Sequence, residues 1–226
     1  PRRSGARGAA AACRATNRDD GLRVFVMRHA QREPDPKFST PLSPEGLADA
    51  ESRLVQHLSD IPDLAAVYSS PFPRCLQTVA PFVRRSQDVE LQVKVEYALY
   101  EHPHPEGDGG EIGRLGEDEM REYCIDPLYV PFLSPGDLGR MGNAAAPQLR
   151  RRLVPFLEAL AARHLTEAKQ SGGRRSVLLV THQTVCHQLI GLDRGVFVRD
   201  LDQAYARQPD LMDFPQGGIT ELHHLL

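Results

Sequence analysis

The chain of 226 residues has no tryptophan, four cysteines and no hydrophobic run long enough to cross a membrane. Its most apolar stretch, Ser176–Thr181, has only the length of a strand and is flanked by arginines and a histidine, so a membrane span is not expected. The cysteines stand far apart without a Cys-x-x-Cys pair, which argues against a disulfide scaffold and a structural zinc site. The expected location is a reducing compartment, the cytoplasm.

Neither sign of charge dominates, because 27 basic and 30 acidic side chains give a formal net charge of −3. We therefore expect no general attraction to nucleic acid or to anionic membranes. The charge is uneven only at the start, where residues 1–18 hold five arginines and no acidic residue. This pattern predicts a disordered basic arm over residues 1–20, which leaves import into an organelle open. We expect residues 21–226 to form one domain.

Strand-like and helix-like stretches alternate from Leu22 onward, which is typical of an α/β domain with a mostly parallel sheet. Short apolar or alternating stretches predict strands at 22–27, 65–69, 89–95, 177–180 and 219–222. Periodic apolar residues predict helices at 44–58, 73–85, 144–169 and 184–191. Between 102 and 143, clustered glycines, prolines and acids predict an insertion without regular structure that acts as a lid or binding loop.

Charged and imidazole side chains stand at the carboxyl ends of the predicted strands, where ligands bind in such sheets. Three arginines gathered there would repel one another unless a multiply charged anion lay between them, and a guanidinium group matches two phosphate oxygens at once. A neutral histidine can attack phosphorus, and a carboxylic acid can protonate the leaving oxygen. The pattern therefore predicts a phosphate site. The sequence has no Gly-rich Gly-Lys-Ser/Thr loop, so this site is not that of a nucleotide-hydrolysing P-loop. The residues are Arg28, His29, Arg32, Arg74, Glu101 and His182.

Three motifs carry a resemblance to a known family: Val-Met-Arg-His-Ala at 26–30, Ser-Ser-Pro-Phe-Pro-Arg-Cys-Leu-Gln-Thr at 69–78, and Leu-Val-Thr-His at 179–182. In this order they resemble the histidine phosphatase superfamily, over residues 22–222. The resemblance implies a phosphoglycerate-mutase-like fold, a three-layer α/β/α sandwich with a mostly parallel central sheet and a lid-like insertion at about 102–143. It also implies catalysis without a metal or an organic cofactor.

The resemblance gives each residue of the predicted site a role. His29 is the nucleophile that forms a phosphohistidine, and Glu101 is the proton donor, with Glu96 as its rival. His182 is both catalytic and phosphate-binding, because it would stabilise charge on the transferring phosphoryl group. The other residues of the phosphate pocket are Arg28, Arg32 and Arg74.

The chain departs from the family's usual pattern at two places. Ala30 stands where the family has glycine, which the turn tolerates if its φ is negative. Gln31 and Arg32 stand where mutases and bisphosphatases carry a Glu-Ser type of sequence. Arg32 instead resembles the phosphatases related to the suppressors of T-cell-receptor signalling and the ecdysteroid-phosphate phosphatases. Together with the absence of tryptophan, this favours hydrolysis over mutase activity.

We therefore predict a metal-independent phosphatase that hydrolyses small-molecule or phosphoprotein phosphomonoesters. The alternatives are a phosphoglycerate-mutase-type phosphoryl transferase, which would need a bisphosphate primer, and a non-catalytic module that binds phospho-ligands. A homodimer is left open. Cys75 is expected to be packed, with a reactive thiol as the alternative. Four further histidines lack the spacing of metal ligands, namely His102, His104, His223 and His224.

Overall fold

Five strands form one central sheet. The computed structural model describes residues 21–35, 37–101, 115–141, 146–195 and 214–224. The strands are β1 (Leu22–Arg28), β2 (Leu64–Ser69), β3 (Val93–Val95), β4 (Arg175–Thr181) and β5 (Ile219–Leu222). Their order is β3-β2-β4-β1-β5, with β5 antiparallel to β1 and all other neighbours parallel. The predicted α/β fold with a mostly parallel sheet is confirmed.

The helices cover both faces of this sheet. They are α1 (Pro44–Glu51), α2 (Arg53–Ser59), α3 (Pro73–Arg85), α4 (Glu117–Glu122), α5 (Pro135–Met141), α6 (Ala146–Ser171) and α7 (Gln183–Asp193). Parallel crossovers are right-handed, so the connections from β1 to β2 and from β2 to β3 place α1, α2 and α3 on one face. The connection from β3 back to β4 runs in the opposite direction and places α6 on the other face. The result is the predicted three-layer sandwich.

The helix predicted over 44–58 is interrupted at Ser52. Its start follows the prediction, because the Ser43 hydroxyl accepts a hydrogen bond from the backbone N–H of Gly46 at 3.2 Å and Pro44 occupies the first turn. Ser52 leaves the helical region with φ −125° and ψ −86°. Its hydroxyl donates to the Ala48 carbonyl at 2.6 Å, a local bond that competes with the helical backbone pattern.

The third strand is shorter than the alternation over 89–95 predicted, since only Val93–Val95 pairs with β2. The preceding residues form a turn around Asp88, whose side chain accepts from the Glu90 N–H and whose carbonyl accepts from the Leu91 N–H. Val89, which the alternation placed in the strand, is 86% exposed. Because the Asp88 side chain accepts a backbone hydrogen bond, it stabilises a turn where the alternation predicted a strand.

The described part of the insertion, residues 115–141, holds regular structure that the sequence did not predict. It contains α4 and α5, and Ile125 forms a parallel bridge with Val93 at the edge of the sheet. Leu133 and Leu138 are buried in the hydrophobic core. This segment therefore belongs to the packed domain, whereas residues 102–114 and 142–145 of the predicted lid lie outside the described residues.

The core lies on both faces of β4, the central strand, whose residues from Ser176 to Thr181 are all buried. α6 contributes a buried stripe at helical spacing, formed by Leu149, Leu153, Phe156, Leu157 and Leu160. None of the described helices is long and apolar enough to span a membrane. The predicted basic arm over 1–20 lies outside the described residues.

Candidate active site

The predicted site residues meet where β1 and β4 lie side by side. The chain leaves β1 for helices on one face and leaves β4 for α7 on the other, which opens a crevice beyond the ends of the two strands. The last paired residues are Arg28 and Thr181, and the His29 N–H still donates to the Thr181 carbonyl at 2.9 Å. His29 and His182 therefore leave neighbouring strands together, with ring centroids 5.4 Å apart.

His29 is held in one neutral tautomer. Its ring nitrogen Nδ1 lies 2.7 Å from the Ala30 carbonyl, which accepts a hydrogen bond, so Nδ1 carries the proton and Nε2 keeps its lone pair. Burial, together with the charges of Arg74, Arg28 and Arg32, lowers the pKa of His29 to about 3. The imidazole is therefore neutral and nucleophilic at physiological pH.

The structure brings the three predicted arginines close enough to His29 for their charges to act on it. Arg74 is fully buried, donates to the Lys37 carbonyl at 2.9 Å, and forms an ion pair with Glu101. Arg28 donates to the Phe214 carbonyl at 2.9 Å. Arg32 holds its own loop through bonds to the carbonyls of Glu33 and Asp35, at 2.7 and 2.9 Å.

His182 is fully buried between Phe72 and the two neighbouring strand ends. Its Nε2 lies 2.9 Å from the Ser70 hydroxyl and 3.6 Å from the Cys75 sulfur. Its Nδ1 lies 3.7 Å from the Glu101 carboxylate, outside hydrogen-bond distance. Burial and the charge of Arg74 hold the pKa of His182 well below its ordinary value, so this ring is neutral as well.

The two candidate proton donors have different surroundings. Glu101 lies at the site, paired with Arg74, and its side chain is 26% exposed. Burial raises the pKa of its carboxyl group, and the charges of Arg74 and Arg32 oppose that rise. A carboxyl group with a raised pKa beside a phosphate site is suited to give and take a proton.

Glu96 instead holds the backbone together. Its carboxylate accepts from the N–H groups of Ala98, Phe132 and Leu133 at 2.8–3.1 Å and from the Tyr129 hydroxyl at 2.7 Å. These four bonds use its acceptor positions, and the side chain is fully buried. Glu96 thus connects the 3₁₀ turn Tyr97–Leu99 to the segment over 129–133 and offers no proton to the crevice.

Arg152 on α6 is a site residue that the sequence did not single out. Its side chain is almost fully buried and donates to the carbonyl of Tyr100, the residue before Glu101. Burial lowers the pKa of its guanidinium to about 10, and its charge contributes to the lowered pKa of His182. Arg152 therefore fixes the backbone that presents Glu101 and adds a positive charge to the site.

Three residues that hold the loop after His29 were also missed. Thr78 on α3 accepts from the Ala30 N–H at 3.0 Å, and Gln77 accepts from the Leu42 N–H at 2.8 Å. Gly46 on α1 lies directly against Gln31, whose carbonyl oxygen would be only 1.9 Å from an added Cβ. The signal in the sequence was Gly46 itself, because a glycine in the first turn of a helix can mark a place where two backbone segments approach closely.

Two expectations about the motif residues are met. Among the described residues other than glycine, only Asp63 and Cys124 have positive φ, so Ala30 adopts an ordinary backbone conformation in place of the family's glycine. Cys75 is fully buried, and burial raises the pKa of its thiol, so it is a packed cysteine and not a reactive one. Within the described parts of the chain, no cluster of three His, Cys, Asp or Glu side chains could hold a metal ion.

Comparisons with known proteins agree with this geometry. The ecdysone phosphate phosphatase of Bombyx mori is similar with a TM-score of 0.58 and 19% identity, over 80% of this chain and 84% of that one. YhfR of Bacillus stearothermophilus is similar with a TM-score of 0.51 and 20% identity, over 79% of this chain and 82% of that one. A phosphoserine phosphatase mutant of Entamoeba histolytica is similar with a TM-score of 0.50 and 13% identity, over 88% of this chain and 89% of that one. At these identities they show a shared fold.

The family is shown by the sequence itself. No curated protein sequence matches the chain. The family model of the histidine phosphatase superfamily, branch 1, matches residues 24–205, which include both histidines, the three arginines and Glu101. The finer resemblance to phosphatases related to the suppressors of T-cell-receptor signalling stays a prediction. With its strand-end histidines on a five-stranded α/β sandwich, the chain belongs to branch 1 of the histidine phosphatase superfamily.

Proposed function

We propose that the protein is a phosphatase that hydrolyses phosphomonoesters through a phosphohistidine at His29. The observation that carries the proposal is the neutral tautomer of His29, with a proton on Nδ1 and a lone pair on Nε2, among three arginines. Such a ring is a nucleophile, and the arginines would hold the phosphate in line with it. The family supplies the context, since phosphate esters are the substrates that its name describes.

The proposed reaction has two steps at phosphorus. The Nε2 lone pair of His29 forms a P–N bond while the ester P–O bond breaks, and the leaving alkoxide takes a proton from Glu101. Water then attacks the phosphohistidine and gives a proton to the Glu101 carboxylate. The P–N bond breaks, its electron pair returns to Nε2, and phosphate leaves. Arg28, Arg74 and His182 stabilise the charge on the transferring oxygens in both steps.

Glu101 is the proposed proton donor in preference to Glu96. Glu101 pairs with Arg74 and lies 3.7 Å from His182, whereas all four bonds of Glu96 go to backbone and a tyrosine. Only Glu101 combines nearness to the phosphate site with a raised carboxyl pKa and partial exposure to solvent. The role of Glu96 is to hold the turn that precedes Glu101.

The leaving group that we propose is apolar, of the aryl or lipid-alcohol kind. An apolar cavity of about 240 Å³ adjoins the strand and turn that precede Glu101, and Tyr97, Leu115, Met120 and Ile125 are among the residues that line it. The similar ecdysone phosphate phosphatase acts, by its name, on the phosphate ester of ecdysone. We expect 1-naphthyl phosphate to give a higher kcat/KM than glycerol phosphate, and the reverse order would contradict this choice.

The first experiment compares hydrolysis of para-nitrophenyl phosphate by the wild-type protein and His29→Ala, both in EDTA. We expect turnover in EDTA, loss of activity by a factor of about 10⁴ or more in the variant, and an acid-labile phosphoenzyme only in the wild type. His57→Ala, a change of an exposed histidine on α2, is the matched control. Equal activity of wild type and His29→Ala would end the proposal.

The same assay separates the two alternatives. A mutase would need a bisphosphate to keep His29 phosphorylated, so added bisphosphate would raise its transfer activity far more than its hydrolysis. A binding module would bind vanadate and hydrolyse nothing. A homodimer and a cytoplasmic location stay predictions from the sequence.

Arg32 is proposed as the outermost arginine of the phosphate pocket. Its charge acts on His29 and Glu101, and its guanidinium lies in a partly exposed loop. We expect Arg32→Ala to weaken vanadate binding, measured as inhibition of hydrolysis, by about tenfold, the loss of a charged hydrogen bond of about 1.5 kcal/mol. Unchanged inhibition would remove Arg32 from the pocket.

A further inference from the structure

His182 has one ring nitrogen that is satisfied by the protein and one that is not. Nε2 lies 2.9 Å from the Ser70 hydroxyl. Nδ1 is buried and has no hydrogen-bond partner among the described residues. A buried polar atom without a partner is costly, so its occurrence at a candidate active site suggests that a ligand supplies the missing partner.

Both groups beside Nε2 carry a hydrogen. Ser70 offers its O–H, and Cys75, whose sulfur lies 3.6 Å from Nε2, keeps its S–H because the thiol is fully buried. The opposite tautomer, with hydrogen on Nε2, would leave the Ser70 hydroxyl hydrogen to the sulfur of Cys75, which is a weak acceptor. It would also turn the Nδ1 lone pair toward the Glu101 carboxylate, 3.7 Å away, and toward any anion bound beside it. Both ends of the ring therefore favour hydrogen on Nδ1.

We infer that Ser70 is a positioning residue: its hydroxyl donates to Nε2 of His182 and thereby fixes Nδ1–H as a hydrogen-bond donor to the phosphoryl group. The inference rests on the proposed function for the identity of that anion. His182 then acts without a net charge, as an oriented donor beside the arginines. His29 is held in the same tautomer by a different partner, the Ala30 carbonyl. Two histidines with the same protonated nitrogen thus have opposite uses, one giving its lone pair and the other its hydrogen.

The tautomer is measurable in the wild-type protein without any turnover. In protein labelled with ¹⁵N-histidine, two-bond ¹H–¹⁵N correlation spectra distinguish which ring nitrogen is protonated, and loss of one signal set in His182→Gln assigns it. We expect the proton of His182 on Nδ1, both in the free protein and with inorganic phosphate or vanadate bound. A proton on Nε2 would overturn the inference whether or not the protein is a phosphatase.

Ser70→Ala tests the consequence, and Ser69→Ala is the matched control. The two serines are neighbours, both fully buried, and the Ser69 hydroxyl donates to the Ser70 carbonyl, not to His182. We expect Ser70→Ala to mix the tautomers of His182 and to lower kcat by about 10–100-fold with a smaller change in KM, as for a weakened transition-state donor. Ser69→Ala keeps the tautomer and stays within about threefold of the wild-type kcat.

A rescue variant and the remaining outcomes make the test decisive. Ser70→Thr keeps the hydroxyl and is expected to keep the Nδ1–H tautomer. Equal losses of kcat in the Ser69 and Ser70 alanine variants with an unchanged tautomer would show a packing role and overturn the inference. An altered tautomer with unchanged kcat would overturn it equally. If the wild type hydrolyses nothing, the proposed function fails, and the tautomer together with vanadate affinity still decides the role of Ser70.

Discussion

The two halves of the candidate site are built differently. The phosphoryl half consists of His29, Arg74 and His182, which stand at strand ends or on α3 and are at most 2% exposed. The leaving-group half consists of Glu101, which lies in a partly exposed loop, and of the segment over 115–141. Rigid, buried elements keep reacting groups in place, whereas loops tolerate change. The difference teaches that, in the proposed enzyme, the fold would fix the groups that act at phosphorus, and the loops would select the substrate.

The halves also differ in their partners. In the phosphoryl half, each histidine ring is oriented by a direct contact from a buried strand end, from Ala30 to His29 and from Ser70 to His182. In the leaving-group half, Glu101 depends on residues from distant parts of the chain, namely Arg74 on α3 and, through the Tyr100 carbonyl, Arg152 on α6. Because Glu101 is partly exposed and both histidines are buried, the position of Glu101 is easier to disturb than that of either histidine.

Among the tests of this comparison, the largest effect is expected from Glu101→Gln, which removes the proposed proton donor and leaves the phosphoryl half intact. We expect kcat for an alkyl phosphate to fall by about 10²–10⁴-fold. For para-nitrophenyl phosphate, whose leaving group needs no proton, the loss is much smaller. The measurement is kcat for both esters. Equal losses for both would mean that Glu101 does not act on the leaving oxygen.

The next effect is a pH dependence of stability with opposite signs for the buried histidines and the buried carboxyl groups. Burial lowers the pKa of His29 to about 3 and that of His164 and His187 to about 4, with His182 also well below its ordinary value. The unfolded chain binds these four protons as pH falls through 6.5 while the folded chain does not, so acid destabilises the fold. Glu96 and Glu101 have raised pKa values and act in the opposite sense.

The four histidines outnumber the two carboxyl groups, so we expect the free energy of unfolding to fall as the pH is lowered from 6.5 to 4.5. Urea unfolding at several pH values measures it. In His164→Gln, which removes a buried histidine on α6 outside the site, we expect a slope lower by ~1.4 kcal/mol per pH unit. A free energy of unfolding that is constant over this range would show that the buried histidines do not titrate as described.

A third effect separates the two carboxylates. Glu96→Gln places an amide where three N–H groups and a hydroxyl donate, so we expect a loss of about 2–4 kcal/mol in the free energy of unfolding. We expect this variant to keep the dependence of kcat on the leaving group, because the proposed donor Glu101 is unchanged. Glu90→Gln, on an exposed turn nearby, is the control and should change stability by less than about 0.5 kcal/mol. If kcat of Glu96→Gln no longer depended on the leaving group, Glu96 and not Glu101 would be the proton donor.

The smallest effect is expected from Arg152→Met. The variant loses the bond to the Tyr100 carbonyl, which costs stability, but it also removes a buried charge, which restores some. We expect little change in the free energy of unfolding and a fall in kcat of about tenfold, because Glu101 is held less firmly. Arg151→Met, on the exposed side of α6, should leave both unchanged. A stability loss without a change in kcat would make Arg152 purely structural.

The sequence located the residues that the structure brings together in the phosphoryl half, because they lie in short motifs at strand ends or in the helix that follows one. His29, Arg74 and His182 stand where apolar strands stop, and alternation locates those ends. Arg152 was missed because three consecutive arginines over 150–152 look alike, and only one is buried. Its spacing from Leu149 and Phe156, three and four residues, placed it on the apolar face of α6 and was the available signal.

Other elements depended on contacts that no local pattern shows. The sequence left Glu96 as a rival of Glu101 for the role of proton donor. The packing of residues 129–133 against Glu96 distinguishes the surroundings of the two carboxyl groups. The third strand was overestimated because alternation over 89–95 cannot weigh the turn that Asp88 forms. The insertion was taken as irregular because its glycines and prolines outweighed the short periodic stretches that become α4 and α5.

Under the proposed function, the ion pair between Arg74 and Glu101 implies that substrate binding is an exchange of one anion for another. The Glu101 carboxylate pairs with the buried guanidinium of Arg74, so a phosphate that binds Arg74 displaces it and gains only the difference between the two interactions. The displaced carboxylate then faces a dianion, which raises its proton affinity just when a proton is needed. After hydrolysis the same carboxylate competes with inorganic phosphate for Arg74, so the residue that serves the leaving group also speeds the departure of the product.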